Sequence, residues 1–246
     1  MRCQAAHATH PHAGMAVRLA LASLQAQWSG EPPTLGLIYA CDLLATQREL
    51  LWAELQAVWP QTCWVGAASV GVLADGAEYL DEPGLALLIC DLPPAQFHAF
   101  HGGAPLGRCA VGDVVLLHVD PRLPEPAELI AEQAARAAPA RLCGGLAASR
   151  TQALQFAGGP LGGGLSGLHV AADAGLRIGF TQGCQPLAAP RRISAADGPL
   201  VLQLDGEPAL PRLLLDLGLD PSRPQAALPL LRSALMGLRR SDAMAT

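Results

Sequence analysis

The chain has 246 residues, with 16 basic and 21 acidic side chains for a formal charge of −5, and 51% hydrophobic against 15% charged residues. That balance supplies enough apolar surface to offset chain entropy, so it excludes intrinsic disorder and predicts a packed core. Every basic residue is arginine and no basic run exceeds Arg191–Arg192 or Arg239–Arg240, which excludes lysine Schiff-base chemistry, a Walker phosphate loop and a nucleic-acid surface.

Pro11 opens an amphipathic helix in which Met15, Leu19, Ala22 and Ala26 recur at helical spacing up to Trp28. His7, His10 and His12, just before it, read as a helix start with exposed imidazoles in preference to a metal chelate. Residues 35–41 are a continuous apolar run, as in a strand buried on both faces, closed by Asp42. A helix over 45–59 is stopped by Pro60, and strands follow at 62–68, 70–74 and 85–90. The order then recurs, with a strand at 114–119 ending in Asp120, a helix at 125–138 stopped by Pro139, and a strand at 141–146. Ala147–Ala148–Ser149 repeats Ala67–Ala68–Ser69. These matches predict an α/β (α+β) fold from a duplicated strand–helix–strands unit, as two stacked mixed sheets with helices outside. Copy one covers about 34–91 and copy two about 113–183, within a single domain over 1–246.

Residues 151–172 are uncharged and long enough to cross a membrane, yet hold six glycines and a proline, so they predict a glycine-rich hairpin and no membrane partner. Alternating strands at 164–172 and 176–183 flank a hairpin at Asp173–Ala174–Gly175, and 193–196 and 200–204 extend the sheet. Leucine spacing makes 208–217 and 226–238 helical, within C-terminal helices over 207–246. The second of these carries more leucines than one buried stripe requires, which predicts a homodimer or a partner chain on that surface. Seven cysteines lack disulfide or zinc spacing, and the apolar stretch 15–24 lacks a cleavage site, so a cytoplasmic location is expected.

Gln182, Gly183 and Cys184 end a strand ahead of Pro186, where a thiol can be aimed into a cleft; the alternative is an inert pocket-lining cysteine. Gly144 and Gly145 allow a ligand or a crossing strand close to the backbone. Nearby, Ser149 and Arg150 follow the second copy as Ser69 follows the first, and Arg150 is read equally as a carboxylate binder or a solvated loop charge. The glycines at 158–164 lack both the helix and the lysine of a phosphate loop.

The runs LGLIYACD (35–42), WVGAASVGV (64–72), CGGLAASR (143–150), GGLSG (163–167), TQGCQP (181–186) and LDGEPAL (204–210) resemble the FIST family, specifically its N-terminal domain. The resemblance implies a sensory small-molecule-binding module of bacterial signal transduction, its ligand an amino acid or heme. The ligand-binding set is then Gln182, Gly183, Cys184, Gly144, Gly145, Arg150, Ser69 and Ser149. For heme, His98, His101 and His118 are the candidate axial ligands, bound non-covalently since no CxxCH motif exists. Members usually carry a C-terminal FIST domain, expected to be absent here because the chain stops at Thr246, so the expected partner is a signalling protein or a separate C-terminal FIST domain. No catalytic residue and no metal site are implied. The alternatives are a cysteine-nucleophile hydrolase using Cys184 with His101 or His118 as base, and a pure interaction domain.

Overall fold

The computed structural model describes residues 1–179, 186–222, 225, 228, 231, 234–235 and 237–238. Where the sequence reading takes one domain, the chain forms two compact units, Met1–Ile178 and Gly179–Thr246. The first unit runs β1 (Cys3–Thr9), α1 (Ala13–Gln27), β2 (Leu35–Cys41), α2 (Asp42–Ala45), α3 (Arg48–Val58), β3 (Cys63–Ser69), a hairpin of β4 (Gly71–Ala74) and β5 (Ala77–Leu80), and β6 (Gly84–Cys90). It continues with β7 (Phe97–His101), β8 (Val114–Val119), α4 (Pro126–Ala137), β9 (Arg141–Leu146), a hairpin of β10 (Gln155–Ala157) and β11 (Pro160–Leu161), and β12 (Leu165–Val170).

Two mixed sheets result, in the orders β1-β6-β2-β3-β10-β11 and β7-β12-β8-β9. Both have a central strand, β2 or β8, parallel to the strand that follows its helix and antiparallel to the last strand of its segment. An antiparallel edge strand completes each: β1 on β6, and β7 on β12. The sheets stack through Leu35, Val65 and Cys90 of the first against Leu168 and Val170 of the second. Alternate side chains point outward. Ile38, Ala40 and Trp64 pack under α1 and α3, and Val115, Leu117 and Val119 pack with Leu129 and Ile130 of α4. This is the predicted class of stacked mixed sheets with outer helices.

Register fixes which residues correspond. Ile38 lies opposite Gly66, and Leu117, at the same place in β8, lies opposite Gly144. Both glycines have positive φ, 152° and 143°, and a Cβ on either would fall 1.8 Å from the Ile38 carbonyl oxygen or 2.0 Å from that of Leu117. Only glycine lets the two backbones come this close. By the same register Ala67 corresponds to Gly145, so the repeated Ala-Ala-Ser triplets stand two positions out of step. Size is exchanged between corresponding pairs: Ala6 faces Leu87 in the first sheet, and Phe100 faces Gly167 in the second, where a Cβ would meet the ring at 2.3 Å.

The turn at residues 172–174 closes as a 3-10 helix, with Gly175 N–H donating to the Ala172 carbonyl at 3.1 Å. Residues 176–179 form no strand, and the rest of the strand expected to 183 lies outside the described residues. In the second unit β13 (Ile193–Asp197), β14 (Leu200–Leu204) and β15 (Glu207–Pro208) form a small antiparallel sheet beside α5 (Ala209–Asp216). Arg191 ties it together by pairing with Asp216 and Asp205. Most of the helix expected over 226–238 lies outside the described residues. Among the described residues no helix is long and apolar enough to cross a membrane.

Candidate functional site

The stacking layer is apolar at one end and polar at the other. Tyr39 is the fifth residue of β2 and His118 the fifth of β8, so the two corresponding positions face each other across the sheets. The Tyr39 hydroxyl and His118 Nε2 are 2.9 Å apart, with the rings edge-on at 5.6 Å. Burial pushes the Tyr39 phenol up to about 12 and the His118 imidazole down to about 4, so both are neutral at physiological pH.

Around this bridge three buried polar atoms lack a hydrogen-bond partner among the described residues: His118 Nδ1, Gln155 Oε1 and Ser166 Oγ. Ser166 lies opposite both His118 and His101, forming one row across β7, β12 and β8. Gln155 lies opposite Ala67, and Ala67 opposite Tyr39, forming the facing row across β10, β3 and β2. Gln155 Nε2 donates to the Gly164 carbonyl at 3.0 Å, which fixes the amide and leaves its oxygen unused. Gln155 and Ser166 are fully buried, and an unsatisfied buried polar group costs about 1–3 kcal/mol. These three unpartnered atoms stand on the facing rows of the two sheets. Sequence reading missed Tyr39, Gln155 and Ser166. Their one local signal is a polar side chain at an inward position of an otherwise apolar strand.

Of the predicted ligand set, Gly145 borders this row, next to His118 on β9, with open space where a Cβ would stand. Gly144 serves the approach of β9 to β8. Ser69 ends β3 opposite Cys41, half-buried. Ser149 Oγ donates to the Gln152 carbonyl at 2.9 Å and so shapes its own loop. Arg150 is exposed yet paired. Its backbone N–H donates to the fully buried Asp42 carboxylate at 2.7 Å, Nε and Nη2 each do so at 3.0 Å, and Nη1 pairs with Asp81. This guanidinium holds Asp42 below the usual carboxylate range. Thr151 Oγ1 donates to the Asp42 carbonyl and Gln152 Nε2 to that of Ala45, so the segment leaving β9 is clamped onto α2. Asp120, at the end of β8, is paired instead with the nearby Arg122 at 3.0 Å. Gln182, Gly183 and Cys184 lie outside the described residues.

Of the three histidines named for heme, His101 and His118 share one row on either side of Ser166, and His98 lies on the other face of that sheet. His118 is bound to Tyr39, His101 Nδ1 accepts from Gly103 N–H at 3.1 Å, and His98 is exposed on the outer face beside His169. The early histidines are separately engaged: His7 Nδ1 bonds the Tyr79 hydroxyl, His10 Nδ1 accepts from His12 N–H at 3.0 Å, and His12 Nδ1 accepts from Met15 N–H at 3.3 Å. Cys109, Asp113 and His169 lie close enough to share a cation. The Asp113 carboxylate, however, already accepts from Ala110 N–H at 2.7 Å, Ala172 N–H at 2.9 Å and His169 Nε2 at 2.8 Å, and so acts as a loop brace.

Comparison with known proteins places this geometry in context. The uncharacterized proteins MT0656 and Rv0628c, from two strains of Mycobacterium tuberculosis, are each 26% identical over 237 residues, covering 90% of this chain. The chain spans 61% of their length. The FIST N domain matches residues 34–207, from β2 through the second sheet and into the small sheet of the second unit. A match over that span makes the chain a member of the FIST N domain family, a family associated with signal transduction.

Proposed function

We propose that this chain is the ligand-recognition module of a signal-transduction protein and takes a small polar molecule of the amino-acid class between its sheets. The observation that carries this reading is the trio of buried, unpartnered atoms on facing rows around the Tyr39–His118 bridge. An amino acid is complementary to it: an ammonium donates to Gln155 Oε1, and a carboxylate accepts from the Ser166 hydroxyl. The neutral His118 Nδ1 supplies a third contact. A buried polar row built this way selects strongly, because a guest lacking one group leaves a protein atom unsatisfied. A thermal-shift screen against the common amino acids tests it. At a hundredfold excess over Kd a true ligand adds about 2.7 kcal/mol, a rise of roughly 5–10 °C in Tm. No shift from any amino acid at millimolar concentration rejects the reading.

A further inference from the structure

Strand β9 ends its sheet. Among the described residues it pairs with β8 alone, and its other edge is bare. Its counterpart β3 has that edge covered by β10, with Phe156 opposite Gly66. There Ala68 N–H donates to the Leu154 carbonyl at 2.8 Å, and Gly158 N–H to the Trp64 carbonyl at 2.9 Å. Phe156 is fully buried on the outer face and stacks on Trp52 of α3 at 6.3 Å.

The same place beside β9 is a cavity of about 250 Å³. It is lined by Leu117, Val119, Ile130, Leu142 and Gly144. By register Leu117, Val119, Leu142 and Gly144 correspond to Ile38, Ala40, Trp64 and Gly66, the surroundings of Phe156, and Ile130 takes the place of Trp52 on the helix above. This volume is below the roughly 300–1,000 Å³ of small-molecule pockets and suits one or two side chains. The backbone is set for the same bonds. Arg141 and Ala147 N–H donate inward, to the Asp113 and Val119 carbonyls at 2.9 and 2.8 Å. The alternate residues Leu142, Gly144 and Leu146 therefore turn their polar groups to the free edge.

We infer that β9 and this cavity form a docking site for an extended strand of a partner polypeptide, paired antiparallel to β9 with an aromatic side chain seated opposite Gly144. The occupant is specified by the chain's own Phe156 strand, which fills the corresponding place in the first sheet. Strand addition of this kind gains affinity from main-chain bonds and specificity from the side-chain pocket.

A fluorescent peptide spanning residues 152–159, titrated into the full chain and read by anisotropy, tests this. Saturable one-to-one binding is expected. It weakens tenfold or more when the peptide's phenylalanine becomes alanine. The same loss is expected with Leu146→Pro, which removes an outward N–H, and with Ile130→Arg, which puts a charge at the cavity wall, while far-UV circular dichroism stays unchanged. Absence of binding at millimolar peptide, or binding indifferent to both chain variants, overturns the inference. So does a dimer of the chain in sedimentation that Leu146→Pro abolishes, because the occupant is then a second copy.

Discussion

Tyr39 and His118 stand at corresponding places in the two central strands and bond each other across the sheets, and burial keeps the imidazole of this contact neutral. The sign of its pH dependence follows. Burial lowers the folded His118 value to about 4 from 6.5, so the unfolded chain binds more protons between these values. Stability from this group is complete above about pH 6.5 and falls as the pH drops toward 4. Chemical denaturation of the wild type and of His118→Gln across pH 4–8 checks this, with a flatter profile expected for the variant. Asp42 acts lower on the scale: its value is depressed by Arg150, so its contribution is present above the ordinary carboxylate range and is lost in stronger acid. Arg150→Ala leaves the buried Asp42 carboxylate with its side-chain donors gone and is expected to lower the midpoint of urea unfolding. An unchanged midpoint would leave Arg150 a loop charge with no part in stability.

Adjacent glycines on β9 separate structural from site roles at the level of the element. Gly144→Ala drives a Cβ against the Leu117 carbonyl at positive φ and should cost about 3 kcal/mol or more, whereas Gly145→Ala meets open space and should stay within about 0.5 kcal/mol. Equal effects in thermal unfolding would contradict the register. Sequence made β2, β8 and β9 legible because buried central strands are short apolar runs with hard stops. It did not reveal β1 or β7, whose CQAAHAT and FHAFH mix small, polar and aromatic residues, as edge strands can. The Ala-Ala-Ser repeat pointed to corresponding segments although its triplets are out of step, because what repeats is topology and the glycine opposite the central strand. Arg150 was legible as a specific carboxylate binder or a loop charge, but its partner Asp42 is far away in sequence, and only the folded chain brings them together.

For the whole molecule, the central claim is that the polar end of the layer between the sheets is kept for a guest at a cost in stability. A site of this kind trades stability for binding. Ser166→Ala removes one unsatisfied buried hydroxyl, and it should raise the Tm of the ligand-free chain while weakening any amino acid that shifts the wild type. Heating the wild type and Ser166→Ala side by side, with and without that ligand, is the most direct measurement. The account predicts a variant about 1 kcal/mol more stable when free, with most of its ligand-induced shift lost. A variant less stable than the wild type, with an undiminished ligand shift, would contradict it.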